Sequence, residues 1–160
     1  MPRNICITAV GGQTGFTIAE LLLTNPNFST KVGSIVGLSL HPQSTRTKEV
    51  ESLGVKIVPH TPGRESVMAK TLKDTGCDTI CLIPPTHKDK FDITEELIRA
   101  TKRAGVPNIC FFSSVGCDYA DPKRQPRLRE FLDLESLVLA AKGDSSTKAG
   151  HSPVVIRYVS

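Results

Sequence analysis

Short runs of consecutive hydrophobic residues alternate along the chain with segments whose hydrophobic residues recur every three or four positions. Six of these runs have the length and the β-branched content of strands, and several are apolar throughout, which is typical of parallel strands covered by helices on both faces. The six predicted strands are residues 4–10, 32–40, 55–58, 78–84, 108–114 and 153–159.

Helical patterns fill the intervals between the predicted strands. The clearest covers residues 92–105, where Asp92 and Glu95 have the spacing of a capping box and Gly105 stands where a glycine ends a helix. The hydrophobic positions that share one face of this helix are Ile93, Leu97, Ala100 and Ala104. The other predicted helices are residues 14–24, a segment after Pro42, residues 65–75 and residues 127–142.

This regular alternation of strands and helices predicts an α/β fold, a doubly wound parallel sheet of the Rossmann type with right-handed crossovers. The expected strand order is 3-2-1-4-5-6. We interpret residues 1–160 as one domain, because compact domains commonly have about 100–150 residues. A polar segment, residues 143–153, is predicted to be a surface loop before the last strand.

The composition narrows the class of protein. The net charge of +4 is small, and acidic residues directly follow the basic stretch 123–129, so we expect a solvated surface there and no direct contact with nucleic acid. Five cysteines without a pair of C-x-x-C motifs and four scattered histidines predict a reducing compartment and no metal site. No signal peptide or membrane segment is expected. We expect a cytoplasmic protein, with the nucleus as the alternative for a regulator.

A glycine-rich turn separates the first predicted strand from the first predicted helix, in the stretch TAVGGQTGFTIAELLL at residues 8–23. Gly12, Gly15 and Ile18 have the spacing of a dinucleotide-binding turn, where a pyrophosphate approaches the backbone and the helix N-terminus supplies free N–H donors. Ile18 replaces a small residue of that pattern, and glycine pairs also occur in purely structural turns. We interpret the turn as nucleotide-binding. The candidate contacts are Gly12, Gln13, Thr14, Gly15 and Phe16.

Three stretches together resemble the NmrA-like family of atypical short-chain dehydrogenase/reductases. They are ITAVGGQTGFTIAELLL at residues 7–23, LGVKIV at residues 53–58 and ATKRAGVPNICFFSSVGCD at residues 100–118. The resemblance covers essentially the whole chain and implies a nicotinamide-dinucleotide-binding fold, which serves reductases in some members and redox-responsive regulators in others. Family members continue into a substrate-binding part, so the resemblance implies that this chain is the N-terminal part of a longer protein, with a natural short form as the alternative.

The residues after the second predicted strand favour NADP over NAD. A carboxylate about 20 residues past the glycines would bind the ribose 2′-hydroxyl of NAD, but the chain has no Asp or Glu between Leu21 and Lys48. Ser44 and Arg46 could bind a 2′-phosphate, with His41 stacking or donating a hydrogen bond. The alternative to phosphate binding is that these residues only form the solvent-exposed, basic first turn of a helix. For Lys48 we favour this alternative. We expect NADP as the cofactor, with NAD as the alternative.

Two further pairs of residues follow predicted strands at the edge where ligands of open α/β sheets bind. Pro84 and Pro85 follow the fourth strand, and Ser113 and Ser114 end the fifth. The family resemblance implies that the prolines border the adenosine of the cofactor and the serines its nicotinamide. In the structural alternative, the prolines only end a strand and the serines only cap a turn.

The sequence offers no tyrosine–lysine pair in the context that proton transfer requires. Tyr119 and Lys123 have the Tyr-x-x-x-Lys spacing of the wider superfamily, but Pro122 opposes the helix that such a pair needs. Where the family's helix would carry the pair, this chain has Phe131 and Glu135. The catalytic residues are therefore unassigned. Three functions remain open: a reductase of a small carbonyl or quinone-like substrate, a non-catalytic NADP(H) sensor that binds a regulatory protein, and a scaffold that has lost the cofactor, which Ile18 in the glycine turn would allow.

Overall fold

The computed structural model of the chain describes residues 1–140 and 152–159. Its strands are β1 (Arg3–Ile7), β2 (Val32–Ser39), β3 (Lys56–Pro59), β4 (Thr79–Leu82), β5 (Asn108–Ser114) and β6 (Ser152–Tyr158). All six are parallel and form one sheet in the order β3-β2-β1-β4-β5-β6. The predicted fold class and strand order are confirmed.

Helices connect the strands as predicted. They are α1 (Gln13–Thr24), α2 (Pro26–Ser29), α3 (Thr45–Ser52), α4 (Glu65–Asp74), α5 (Lys90–Ala104) and α6 (Pro126–Leu139), with a 3₁₀ helix at Cys117–Tyr119. The short helix α2 was not predicted. Proline suits the first position of a helix, and the Asn25 side chain caps this one by accepting a hydrogen bond from the Asn27 amide at 2.9 Å.

Two predicted boundaries fall partly outside the described residues. The last helix was expected to reach residue 142, and it ends at Leu139 in the structure. Most of the predicted surface loop, residues 143–153, lies in the part of the chain that the structure does not describe. Its last two residues belong to β6, which begins at Ser152.

The start of α5 corrects the predicted capping box. The helix begins at Lys90, so Asp92 lies inside its first turn, and the N-cap residue Asp89 makes no capping hydrogen bond with its side chain. An acidic residue in the first turn is still favourable there, because the helix dipole is positive at that end. The predicted end is confirmed: Gly105 has a φ of 72°, a left-handed conformation that glycine adopts without steric cost.

Helices cover both faces of the sheet unequally. On one face α4, α5 and α6 bury a continuous core that includes Leu72, Leu97 and Phe111. On the other face α1 and α3 cover the strands around β1 and β2. The same face of β6 is open, since Val154 and Ile156 are 53% and 42% exposed. No helix of the described residues has both the length and the hydrophobicity needed to cross a lipid bilayer.

The strand order places a crevice at one edge of the sheet. β1 lies between β2 and β4, and the chain leaves β1 toward the β2 side before it returns to β4 on the other side. In open parallel sheets, ligands bind beyond the carboxyl ends of the strands at such a reversal of strand order. The connections that follow β1, β2 and β4 therefore form the candidate site.

Candidate functional site

The turn after β1 has an unusual backbone that neighbouring strands hold in place. Ala9 has a φ of 47°, in the left-handed region that residues with a side chain seldom adopt. Just before it, the Thr8 hydroxyl accepts a hydrogen bond from the Ile83 amide at 2.7 Å and donates one to the Ile83 carbonyl at 3.0 Å. A strained residue persists where its surroundings fix it, and such residues concentrate at functional sites.

Gly12 and Gly15 occupy this turn for different structural reasons. A Cβ on Gly15 would lie 2.6 Å from the Ala9 carbonyl oxygen and 2.7 Å from the Val10 Cα, so α1 can pack this closely on the turn only with glycine there. A Cβ on Gly12 would lie 3.2 Å from the Ala9 oxygen, and the backbone of Gly12 (φ −80°, ψ 169°) suits any residue. Packing therefore requires Gly15, whereas a side chain at Gly12 would make one close contact with the Ala9 oxygen and would lie at the cavity lining.

That first turn carries backbone donors without partners. Gly12 is the N-cap and supplies no side-chain acceptor, and no acidic residue lies in the first turn of α1. Among the described residues, the amides of Gln13, Thr14 and Gly15 donate no hydrogen bond. Free amides and the positive end of the helix dipole together form a binding site for an anion such as a phosphate.

A cavity of about 450 Å³ opens beside these amides. Five of the residues predicted from the sequence line it: Gly12, His41, Ser44, Arg46 and Pro85. The cavity is also lined by Leu40, which ends the strand-like run of β2, and by Thr86 and His87, which follow β4. Thr86 follows Pro84 and Pro85 in the segment that the sequence placed at this edge, whereas His87 was not predicted, although its position after a parallel strand is the signal that could have identified it.

Arg46 is held at the rim of the cavity by two residues of the glycine turn. Its Nη1 donates a hydrogen bond to Oε1 of Gln13 at 2.8 Å, and its guanidinium lies 5.2 Å from the centre of the Phe16 ring. Both partners are neutral, so the arginine retains its full positive charge beside the cavity. The structure thus brings together Gln13, Phe16 and Arg46, three residues that the sequence analysis had assigned to the site.

Ser44 and His41 are less free to bind a ligand. Ser44 is the N-cap of α3: its hydroxyl oxygen accepts a hydrogen bond from the Thr47 amide at 3.2 Å and lies 2.9 Å from the Thr47 hydroxyl. The His41 amide donates to the Ser39 hydroxyl at 3.1 Å, while its imidazole lies at the cavity lining. Arg46 is therefore the strongest candidate for a phosphate contact in this segment.

Tyr158 is a site residue that the sequence analysis missed. Its hydroxyl lies 3.0 Å from the Thr14 hydroxyl, and its ring meets Phe112 edge-on at 6.2 Å between ring centres. In the sheet it pairs with Ser114, so both side chains leave the same face. Thr14, Ser114 and Tyr158 therefore form the side of the crevice that faces β5 and β6. Tyr158 lies at the end of a predicted strand, and this position was the signal from which it could have been predicted.

The structure corrects the prediction for Ser113 and does not support a direct contact for Pro84. The Ser113 side chain is fully buried under α6, where its hydroxyl donates to Oε1 of Glu135 at 2.5 Å. Successive residues of a strand point to opposite faces, so Ser113 turns away from Ser114 and from the crevice. Pro84 precedes Pro85 and is not among the residues that line the cavity.

Glu135 organises the buried cluster that receives Ser113. Arg157 donates from Nε and Nη2 to the two carboxylate oxygens of Glu135, at 2.8 Å each, and from Nη1 it also meets Asp118 at 3.1 Å. The hydrogen bonds from Arg157 hold the pKa of Glu135 below its ordinary value, and Glu135 in turn raises the pKa of Arg157. Glu135 is therefore an ionised structural partner of Arg157 and carries no proton to donate.

The rejected tyrosine–lysine pair is separated in the structure as the sequence indicated. Tyr119 ends the 3₁₀ helix and is 89% exposed, whereas Lys123 lies in the turn after Pro122. The two side chains share no helix face, so they do not form the proton relay of the superfamily.

Comparison with solved structures identifies the fold. Similar structures include the Escherichia coli NADPH-dependent quinone oxidoreductase in complex with NADPH (21% identity, TM-score 0.73), the Citrobacter triphenylmethane reductase in complex with NADP(H) (16%, 0.72) and the Bordetella bronchiseptica enzyme WbmH in complex with NAD⁺ (18%, 0.72). These alignments cover 96%, 96% and 99% of this chain but only 48%, 48% and 56% of the other chains. The chain therefore has the fold of about half of each of these enzymes.

Comparison of the sequence alone with known families and proteins gives no match. No protein-family model matches the chain. No curated protein sequence matches it significantly.

Proposed function

We propose that this chain is an NADP(H)-binding domain of the NmrA-like type, from an atypical short-chain reductase that acts on a small carbonyl or quinone-like substrate. The observation that carries the proposal is the set of amides at Gln13, Thr14 and Gly15, which donate no hydrogen bond among the described residues and follow Gly12, a residue of the cavity lining. The pyrophosphate of a dinucleotide has the charge and the acceptor oxygens that this helix end can bind.

The adenosine half of the cofactor would lie in the cavity between the ends of β2 and β4. Arg46 is positioned to bind a 2′-phosphate with its remaining N–H donors, and His41 borders the same space. The Escherichia coli and Citrobacter enzymes were solved with NADPH and NADP(H), which supports NADP for this chain. The NAD⁺ complex of the Bordetella enzyme keeps NAD as the alternative cofactor.

The nicotinamide half would extend toward Thr14, Ser114 and Tyr158. The cofactor supplies the hydride, while the protein holds it in place and excludes water. The choice of substrate class rests on the neighbours named as a quinone oxidoreductase and a triphenylmethane reductase. About half of each neighbour has no counterpart in this chain, so the substrate-binding residues are not assigned.

A non-catalytic sensor of the NADP/NADPH ratio is the second candidate function. One specific observation favours it: Glu135, which stands where the superfamily's proton relay would lie, is committed to Arg157 and Ser113. Tyr119 and Lys123 do not replace that relay, because they share no helix. In this function the dinucleotide would change the binding of a regulatory protein partner.

Two measurements test these proposals. Fluorescence titration with NADPH and NADH should show saturable binding, with NADPH the tighter ligand. The absorbance of NADPH is then followed with the full-length protein in the presence of a panel of quinones and aldehydes. Oxidation of NADPH that depends on one of these substrates supports the reductase. Tight binding without turnover supports the sensor, and the absence of dinucleotide binding overturns both.

A further inference from the structure

Two hydroxyl groups, those of Thr14 and Tyr158, form a bridge between the glycine turn and the last strand. Their oxygens lie 3.0 Å apart, although 144 positions separate the two residues in sequence. Thr14 lies in the first turn of α1, and Tyr158 is the last residue of β6. In the strand order, β2 and β6 lie on opposite sides of β1. The bridge and Arg46, which follows β2, are therefore on opposite sides of the crevice.

Contacts on both faces of β6 fix the position of Tyr158. Its carbonyl oxygen accepts a hydrogen bond from the Val115 amide at 3.1 Å, and its ring meets the Phe112 ring edge-on. The preceding residue, Arg157, is on the opposite face of the strand, where it donates to both carboxylate oxygens of Glu135. The tyrosine hydroxyl is therefore presented to the glycine turn by a ring whose position the surrounding structure determines.

The hydroxyl pair keeps one donor for a ligand. Each hydroxyl has one O–H to donate, and only one of these two protons lies between the oxygens. Neither hydroxyl has a second hydrogen-bond partner within the residues that the structure describes. Whichever oxygen accepts, one O–H is left to donate elsewhere. Because Thr14 also carries one of the free amides of α1, this donor lies beside the proposed anion site.

The bridge is not needed to hold β6 in the sheet. This strand pairs with β5 along its whole length, from Ser152 to Tyr158, and Arg157 fastens the same end of the strand to Glu135. One hydrogen bond between two half-buried hydroxyls adds little to such an attachment. The free donor, and not the attachment of β6, is therefore the property of the bridge that bears on function.

We propose that Tyr158 is a positioning residue for the cofactor: it donates to the Thr14 hydroxyl, which in turn donates to the phosphate on the nicotinamide side of the dinucleotide. The inference rests on the proposed function, because this phosphate belongs to the dinucleotide. In such a chain each proton lies on an acceptor, and the charge of the phosphate strengthens both hydrogen bonds. The nicotinamide-side phosphate is the nearer one, since the adenosine half would occupy the cavity beside Arg46.

Calorimetric titration of the full chain with three ligands tests the proposal. NADPH carries the whole pyrophosphate and the nicotinamide, 2′-phospho-ADP-ribose lacks only the nicotinamide, and 2′,5′-ADP also lacks the nicotinamide-side ribose and its phosphate. Tyr158→Phe keeps the ring and removes only the hydroxyl. We expect it to weaken the binding of the first two ligands by the same factor, about five- to tenfold, and to leave that of the third unchanged. Arg46→Ala is the matched control, because it should weaken the binding of all three.

Thr14→Val tests whether Tyr158 acts through Thr14. In that background Tyr158→Phe should cause no further loss of NADPH affinity, whereas its effect should add to that of Arg46→Ala. The proposal is overturned if a folded Tyr158→Phe variant binds NADPH like the wild type, if its loss extends equally to 2′,5′-ADP, or if its loss is confined to NADPH. Full additivity with Thr14→Val overturns it as well. A wild-type chain that binds none of the three ligands overturns the proposed function itself, and this inference with it.

Discussion

Arg46 donates a hydrogen bond to Gln13 across 33 positions of sequence, and this contact joins the start of α3 to the first turn of α1. The stacking of the same guanidinium against Phe16 fixes its orientation. An arginine with four N–H donors left after one bond is well suited to a phosphate, because its planar fork can contact two oxygens at once. The side chain that we expect to select NADP is thus positioned by the turn that we propose binds the pyrophosphate.

Replacement of Arg46 by alanine should change cofactor selectivity. We expect the affinity for NADPH to fall about 10–100-fold, since a charge-assisted contact to the 2′-phosphate is lost, while the affinity for NADH changes little. Fluorescence titration with both dinucleotides measures the two effects. Lys48→Ala is the matched control, because Lys48 is exposed on the same helix and does not line the cavity. Equal losses for NADPH and NADH would show that Arg46 does not contact the 2′-phosphate.

Alanine at Gly15 should destabilise the fold. Its Cβ would lie 2.6 Å from the Ala9 oxygen, an atom of the backbone that cannot rotate away. We expect a loss of about 1–3 kcal/mol in the free energy of unfolding, measured by urea denaturation. Thr17→Ala, on the exposed side of α1, should change it by less than about 0.5 kcal/mol. A Gly15→Ala variant as stable as the wild type would mean that α1 can shift away from the turn.

The Glu135–Arg157 pair should matter more for stability than an exposed ion pair. Glu135→Ala leaves the buried Ser113 hydroxyl without its acceptor and leaves Arg157 with Asp118 alone, and we expect a loss of about 1–3 kcal/mol. Asp74→Ala breaks the exposed pair with Lys70 and should cost about 0.5 kcal/mol. Chemical denaturation of both variants provides the comparison. Similar losses would contradict a structural role for the buried cluster.

The stability provided by Glu135 should depend on pH in a definite direction. Because Arg157 lowers the pKa of Glu135 in the folded protein, the unfolded chain binds the proton more readily. The stabilisation is therefore complete above the unfolded pKa, about 4.5, and is lost as pH falls through the folded value. We expect the difference in unfolding free energy between wild type and Glu135→Gln to shrink on acidification below pH 4.5. A difference that stays constant from neutral to acidic pH would contradict this origin.

The sheet could be predicted from the sequence because its strands are covered on both faces. Continuous apolar runs such as residues 109–112 mark buried parallel strands, and the glycine turn and Gly105 mark where helices begin and end. Because this strand has hydrophobic residues on both faces, its sequence did not show toward which face Ser113 points. Phe111 and Phe112 are both hydrophobic, so the run contains no alternation that would tell which serine faces the crevice.

Contacts that join distant segments could not be predicted in the same way. Arg157 reaches Glu135 across 22 positions, and Tyr158 reaches Thr14 across 144. Each contact depends on the register of β6 beside β5 and on how α6 packs, and no local pattern encodes either. The residues at the ends of β1, β2 and β4 were easier to predict, because parallel strands bring their carboxyl ends to one edge whatever the side-chain details.

Substitution of Gly12 tests the central claim that the free amides of α1 hold a pyrophosphate. The backbone dihedral angles of Gly12 suit any residue, and a small shift relieves the 3.2 Å contact of a new Cβ with the Ala9 oxygen, so aspartate can take the N-cap position and accept hydrogen bonds from these amides. Gly12→Asp should stabilise α1 by about a few tenths of a kcal/mol. The same change should weaken NADPH binding about 10–100-fold, because the carboxylate occupies the donors and repels the phosphates.

Gly12→Asn serves as the uncharged control, since it caps the helix in the same way without the repulsion. The most direct measurement is therefore the dissociation constant of NADPH, determined by fluorescence titration for the wild type, Gly12→Asn and Gly12→Asp. The account predicts that affinity falls in that order while the melting temperature of the free protein stays the same or rises. Wild-type affinity in a folded Gly12→Asp variant would contradict it, because the dinucleotide would then bind elsewhere.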